Sequence, residues 1–143
     1  MNGFEYVSLL SDEEKVLFLR LIIKIIGSDG QIDDVEKQFI RELAKQYRIP
    51  AEFGEQIHAP CETEELFAQA EQMLDRRKSL YLIKELLSVA NTDNDFSENE
   101  IDFVVNIANR LKIEDDKVVA INQLVIERLN WLNRYQEIME IKN

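Results

Sequence analysis

Residues 29–36, Asp29-Gly30-Gln31-Ile32-Asp33-Asp34-Val35-Glu36, return 64 positions later as Asp93-Asn94-Asp95-Phe96-Ser97-Glu98-Asn99-Glu100. Each stretch carries a cap residue followed three positions on by glutamate: Asp33 with Glu36, and Ser97 with Glu100. In a capping box the cap side chain accepts from the backbone N–H three residues on, and the glutamate there accepts from the cap's own N–H. Both stretches therefore read as acidic turns that open a helix. The same shift, without a gap, sets Phe39 on Phe103, Ile40 on Val104, Leu43 on Ile107, Ala44 on Ala108, Arg48 on Lys112 and Ile49 on Ile113. Upstream it sets Leu10 on Leu74 and Leu19 on Ile83. A repeated unit of this size rarely buries its own apolar faces alone, so the two copies should share one core. The expectation is an all-α, single-domain bundle of about seven helices over residues 1–143. Its two tandem repeats (about 10–60 and about 74–130) would be in a pseudo-twofold relation, with a C-terminal helix extension to 143.

Working outward, Ser11-Asp12-Glu13-Glu14 is another capping box and opens a helix from about Asp12 to Ile26. That helix is apolar on nearly every side, the mark of a central, buried one. After Asp33, a helix over about 34–48 carries Val35, Phe39, Ile40, Leu43, Ala44 and Tyr47 at three- and four-residue spacing, which predicts one buried stripe. A short helix around 51–57 follows, closed by Pro60. Thr63 is expected to cap a helix with Leu66, Phe67, Ala70, Met73 and Leu74 inward, and Asp75 one from about Arg76 to Ala90. The helix opened by Ser97 turns Ile101, Phe103, Val104, Ile107, Ala108 and Leu111 inward. The last helix starts near Asp115 and can run past Tyr135, because nothing from Val118 to Lys142 breaks it. Extended to Glu140 it would be about 39 Å long at ~1.5 Å per residue, so part should project or fold back on Phe4 to Leu10. As repeat equivalents, Phe39 and Phe103 should each lose roughly 3–5 kcal/mol on truncation to alanine if both are fully buried.

Composition supports helices: 45% hydrophobic and 31% charged residues fit a folded domain, and only 4 glycines and 2 prolines are present to punctuate strands. The net charge is −11, with −8 in residues 1–74 and −3 in residues 75–143. A chain this acidic repels phosphate backbones and anionic membrane surfaces, so nucleic acid is excluded as a natural partner. The richest apolar stretch, Val16 to Ile26, is interrupted by Arg20 and Lys24 and is shorter than the ~20 residues a membrane span needs. No direct membrane insertion is expected. The lone Cys61 suits a reducing compartment, and Met1-Asn2-Gly3-Phe4-Glu5 lacks a secretory pattern, so the expected location is the cytoplasm.

The acidic turns are the strongest chemical candidates. Aligning Gly30 on the glycine of an EF-hand loop puts Ile25 and Gly27 where that loop needs side-chain oxygens, and the copy puts Val89 and Asn91 there. A true EF-hand is thereby rejected. Two readings remain. Capping alone explains Asp33, Glu36, Ser97 and Glu100; alternatively, carboxylates plus water hold a divalent cation weakly. In the second reading Asp29, Asp93 and Asp95 lead, because capping does not need them.

Asp29-Gly30-Gln31-Ile32-Asp33-x-x-Glu36 and its copy from Asp93 to Glu100 resemble the tellurite-resistance TerB family of small bacterial helical proteins. The chain is also similar to the N-terminal domain of a membrane-anchored DnaJ-type co-chaperone. The resemblance implies a two-repeat helical bundle without catalysis, linked to the response to tellurite and other toxic agents. It also implies metal-chelating turn residues, which would fall here on Asp29 and Glu36 and on Asp93 and Glu100. Asn94 stands where the motif has glycine. The expected function is a non-enzymatic accessory protein of bacterial stress response, with a helical protein–protein adaptor lacking any metal role as the alternative.

Other features carry less. His58-x-x-Cys61 is half a zinc site with no second pair of Cys or His to complete it, and no glycine-rich phosphate loop occurs. Arg76-Arg77-Lys78 reads as a solvated helix start. Trp131 and Tyr135, four apart, are read as packing residues or as a surface for a protein partner. Any homo-oligomer is expected to form through this last helix.

Overall fold

The computed structural model of the chain describes residues 5–27, 32–92 and 97–141. Among these residues there are seven α-helices and no strand. A 3-10 turn, Glu5–Leu9, precedes α1 (Asp12–Ile26) and α2 (Asp34–Gln46); a second, Ala51–Phe53, leads into the short α3 (Gly54–His58). Then come α4 (Thr63–Met73), α5 (Arg76–Asn91), α6 (Glu98–Arg110) and α7 (Asp115–Ile138).

The capping boxes form as read. Ser11 Oγ accepts from the Glu14 N–H at 3.1 Å while the Ser11 N–H donates to Glu14 Oε1 at 2.8 Å. The Asp33–Glu36 and Ser97–Glu100 pairs do the same. Asp75 caps α5 through the Lys78 N–H. Thr63 does not cap α4: it is the first helical residue, and the cap position is held by Glu62 without a side-chain bond. The C-terminal ends use a device that glycine usually supplies. Arg48 and Lys112 adopt left-handed backbone at φ 55° and 59°, letting the N–H of Ile49 reach back to Ala44 and that of Ile113 to Ala108. Both the helix starts (34 and 98) and these left-handed residues (48 and 112) are offset by the same 64 positions.

α1 is the central helix, with Phe18, Leu19, Leu21, Ile22 and Ile25 fully buried, each such side chain contributing about 1.5–3 kcal/mol. It packs on α2, α3, α4, α5 and α6, while α5 bridges it to α7. The stripe expected on α2 is only half covered. Ile40, Leu43 and Tyr47 are buried, but Val35 is 79% and Phe39 37% exposed, so the packing of α1 on α2 leaves part of the stripe in water. Ile101 on α6 is likewise exposed, and Phe103 is half-buried, edge-on to Phe67 at 5.4 Å. The condition of full burial thus fails for both phenylalanines.

Arg76-Arg77-Lys78 is more than a solvated start. Arg76 forks onto Glu114 at 2.9 and 2.7 Å, Arg77 donates to the Tyr81 hydroxyl at 3.0 Å, and Lys78 pairs with Glu14 across α1. α7 buries only Ile121 and Val125; beyond Leu132 only Gln136 is even half-buried, so the end of the helix projects.

Candidate functional site: an apolar groove over a buried carboxylate

On α5, Glu85 sits among Leu82, Leu86 and Val89, the i−3, i+1 and i+4 positions, all buried, and is itself buried with them. An isolated carboxylate there would be costly, and two tyrosines from distant segments answer it. Tyr6, from the first 3-10 turn, donates to Glu85 Oε2 at 2.5 Å, and its hydroxyl lies 3.2 Å from that of Tyr47 at the end of α2. Tyr6 also stacks on Tyr81 at 4.7 Å and carries the Lys84 Nζ over its ring at 4.9 Å.

The electrostatics follow burial. Desolvation raises the Glu85 pKa above the usual carboxylate range, against the hydrogen bond from Tyr6 and the charge of Lys84. Desolvation, then the Glu85 charge, pushes both the Tyr6 and Tyr47 phenols well above their ordinary value. Burial lowers Lys84, with Glu85 pulling the other way.

Glu85 also lines a cavity of about 340 Å³ that opens between α2, α5 and α7. Phe39 and Leu43 form one wall, Leu124, Val125, Leu129 and Leu132 the other, with Lys84, Glu85 and Val89 between them and Arg128 at the edge. An apolar cleft with a few convergent polar groups is the usual form of a binding site. On the α7 side its wall includes Leu124, which is 65% exposed.

A second cavity, of about 420 Å³, lies between α1 and α3 and is lined by Arg20, Lys24, His58 and Cys61. Arg20 is engaged with the Ala59 carbonyl at 3.0 Å. Burial, with Glu65 accepting at 3.3 Å from the thiol, pushes Cys61 up, away from an activated thiolate.

Of the five residues expected to hold a cation, Asp29, Asp93 and Asp95 lie outside the described residues. Glu36 and Glu100 are placed, and each spends an oxygen on its capping box: Glu36 Oε1 on the Asp33 N–H at 3.0 Å, Glu100 Oε1 on the Ser97 N–H at 3.1 Å. Among the described residues no three His, Cys, Asp or Glu side chains are grouped to hold a metal. No helix among them is long and apolar enough to cross a membrane. Sequence reasoning missed the Tyr6–Glu85–Tyr47 cluster; the available signal was a glutamate on the apolar face of α5.

The fold and groove define a small all-α bundle with one open, apolar face. The chain belongs to the family described as a protein of unknown function, DUF533, which it matches over residues 7–125. No curated protein and no solved structure matches it.

Proposed function

We propose that this chain is a non-enzymatic accessory protein of the TerB-like kind, acting in bacterial stress response by contact with another protein through the groove between α2, α5 and α7. The observation that carries this reading is the groove itself. It is mostly apolar, roofless, and lined by exposed Phe39 and Leu124. Water-exposed apolar surface of this kind is stabilised when a partner covers it. The capping roles of Glu36 and Glu100 favour the metal-free, adaptor version. The 64-residue offset of helix starts and helix ends supports reading the bundle as two tandem units in a pseudo-twofold arrangement.

A photocrosslinking residue placed at Phe39 or Leu124 in the native host tests the contact, with exposed Glu55 on α3 as the control position. The reading expects discrete adducts at the first two positions and none at the third. Indiscriminate or absent adducts overturn it. The stress role is tested separately: a strain lacking the gene should lose tellurite tolerance, recovered with the wild-type chain and not with Phe39→Glu.

A further inference from the structure

We propose that the exposed face of α7 is a homodimer surface, on which α7 of a second copy packs antiparallel. The inference rests on the reading that the open face of the bundle acts by protein contact, and it names a second copy of this chain as an occupant. Leu124, Arg128, Trp131, Tyr135 and Ile138 follow one another at alternating spacings of four and three, the seam of a two-helix coiled coil. Leu124 and Arg128 also border the groove toward α5, where Ile121 and Val125 are already buried, whereas Trp131, Tyr135 and Ile138 lie outside its lining. Trp131 and Tyr135 stack on each other at 5.3 Å, a preformed aromatic platform that loses little freedom on being covered.

Charge selects both the partner and its direction. Two chains of net charge −11 repel, yet from Leu124 to Ile138 the charged residues are Glu127, Arg128, Arg134 and Glu137, which cancel. In the antiparallel register that sets Trp131 against Tyr135 of the second copy, Glu127 falls beside Arg134 of the second copy, and the twofold axis repeats the pair. A parallel pair would set Glu127 beside Leu132 and Arg134 beside Met139, leaving both charges unanswered. Within one chain neither Glu127 nor Arg134 has an ion-pair partner among the described residues. Trp131 and Tyr135 are only 61% and 43% exposed, so with Leu124 and Ile138 the apolar area left to cover falls well short of the ~800 Å² per partner of a stable complex. A weak dimer, dissociating on the order of 100 micromolar, is expected.

Sedimentation velocity on the full chain over a concentration series tests this. The wild type should reach twice the chain mass. Trp131→Ala should weaken the dimer at least ~10-fold. Glu127→Arg and Arg134→Glu should each be shifted toward monomer, because each sets like charges opposite one another twice. Mixing these two variants should restore a heterodimer, as would combining both changes in one chain. Both sites are exposed, so unchanged circular dichroism melts serve as the folding control. A wild type that stays monomeric at hundreds of micromolar overturns the proposal. So does a dimer that Trp131→Ala and both reversals leave untouched, or a monomer that crosslinks a different protein at Phe39; the last leaves the groove reading standing.

Discussion

Glu14 and Lys78, 64 positions apart and each in the first turn of a long helix, meet across the core interface of α1 and α5. Lys78 Nζ donates to both carboxylate oxygens at 3.0 Å. Residues at equivalent places in two repeats touch each other only near the axis that relates them, so this pair marks where the proposed pseudo-twofold axis would run. Glu14 is buried and also accepts from the Ser11 N–H, which ties the cap of α1 to the start of α5.

Glu14→Gln keeps the capping bond but strips Lys78 of its carboxylate. A loss of about 1–3 kcal/mol is expected in urea unfolding, above the ~0–1 kcal/mol of an exposed pair. A change no larger than that of an exposed pair removes this contact from the account of what joins the two halves.

Phe39 and Phe103 should part company despite their equivalent positions. Phe103→Ala, half-buried on Phe67, is expected to cost about 2 kcal/mol, below the ~3–5 kcal/mol of a fully buried phenylalanine. Phe39→Ala should cost less than about 1 kcal/mol, because its ring is already partly in water. Equal losses in denaturant titrations would mean that Phe39 is covered in solution.

Glu85 gives the domain a pH dependence of unusual sign. Its folded-state pKa lies above the unfolded value, so the folded state holds the proton more tightly. Its contribution to stability is therefore full below the unfolded carboxylate value and is lost as pH rises through the shifted one. Glu85→Gln, which cannot ionise, should gain in melting temperature relative to the wild type between pH 4 and pH 7. A wild-type minus variant difference flat across that range would contradict the burial argument.

Glu36 separates capping from metal binding. Glutamine can serve in a capping box, so Glu36→Gln should keep the wild-type stability while Glu36→Ala loses about 0.5–1 kcal/mol. Thermal melts of all three with calcium, magnesium, manganese and zinc complete the test. A melting temperature raised by one of these cations in the wild type but in neither variant would assign Glu36 to a metal.

Truncation after Asn130 should leave the bundle folded, because the buried residues of α7, Ile121 and Val125, lie before it. It should abolish self-association. If circular dichroism shows an unfolded chain instead, the end of α7 belongs to the core and not to an interface.

Helix starts were legible in the sequence because a capping box closes within three residues: Ser11–Glu14, Asp33–Glu36 and Ser97–Glu100 need nothing from elsewhere in the chain. The burial of α1 was legible too, since a helix apolar on every side has no face to give to water. Which side of α2 is covered was not, because that depends on where α1 and α5 pass. Periodicity marks Val35 and Phe39 as apolar without saying whether a neighbour reaches them. The cluster of Tyr6, Glu85 and Tyr47 was still further from view. Tyr6 lies 79 positions from Glu85 and 41 from Tyr47, and only the packing of α2 and α5 beside the first turn brings a buried carboxylate and two hydroxyls within hydrogen-bonding distance. Local backbone chemistry is written residue by residue, whereas a site built from three distant segments exists only once the chain has folded.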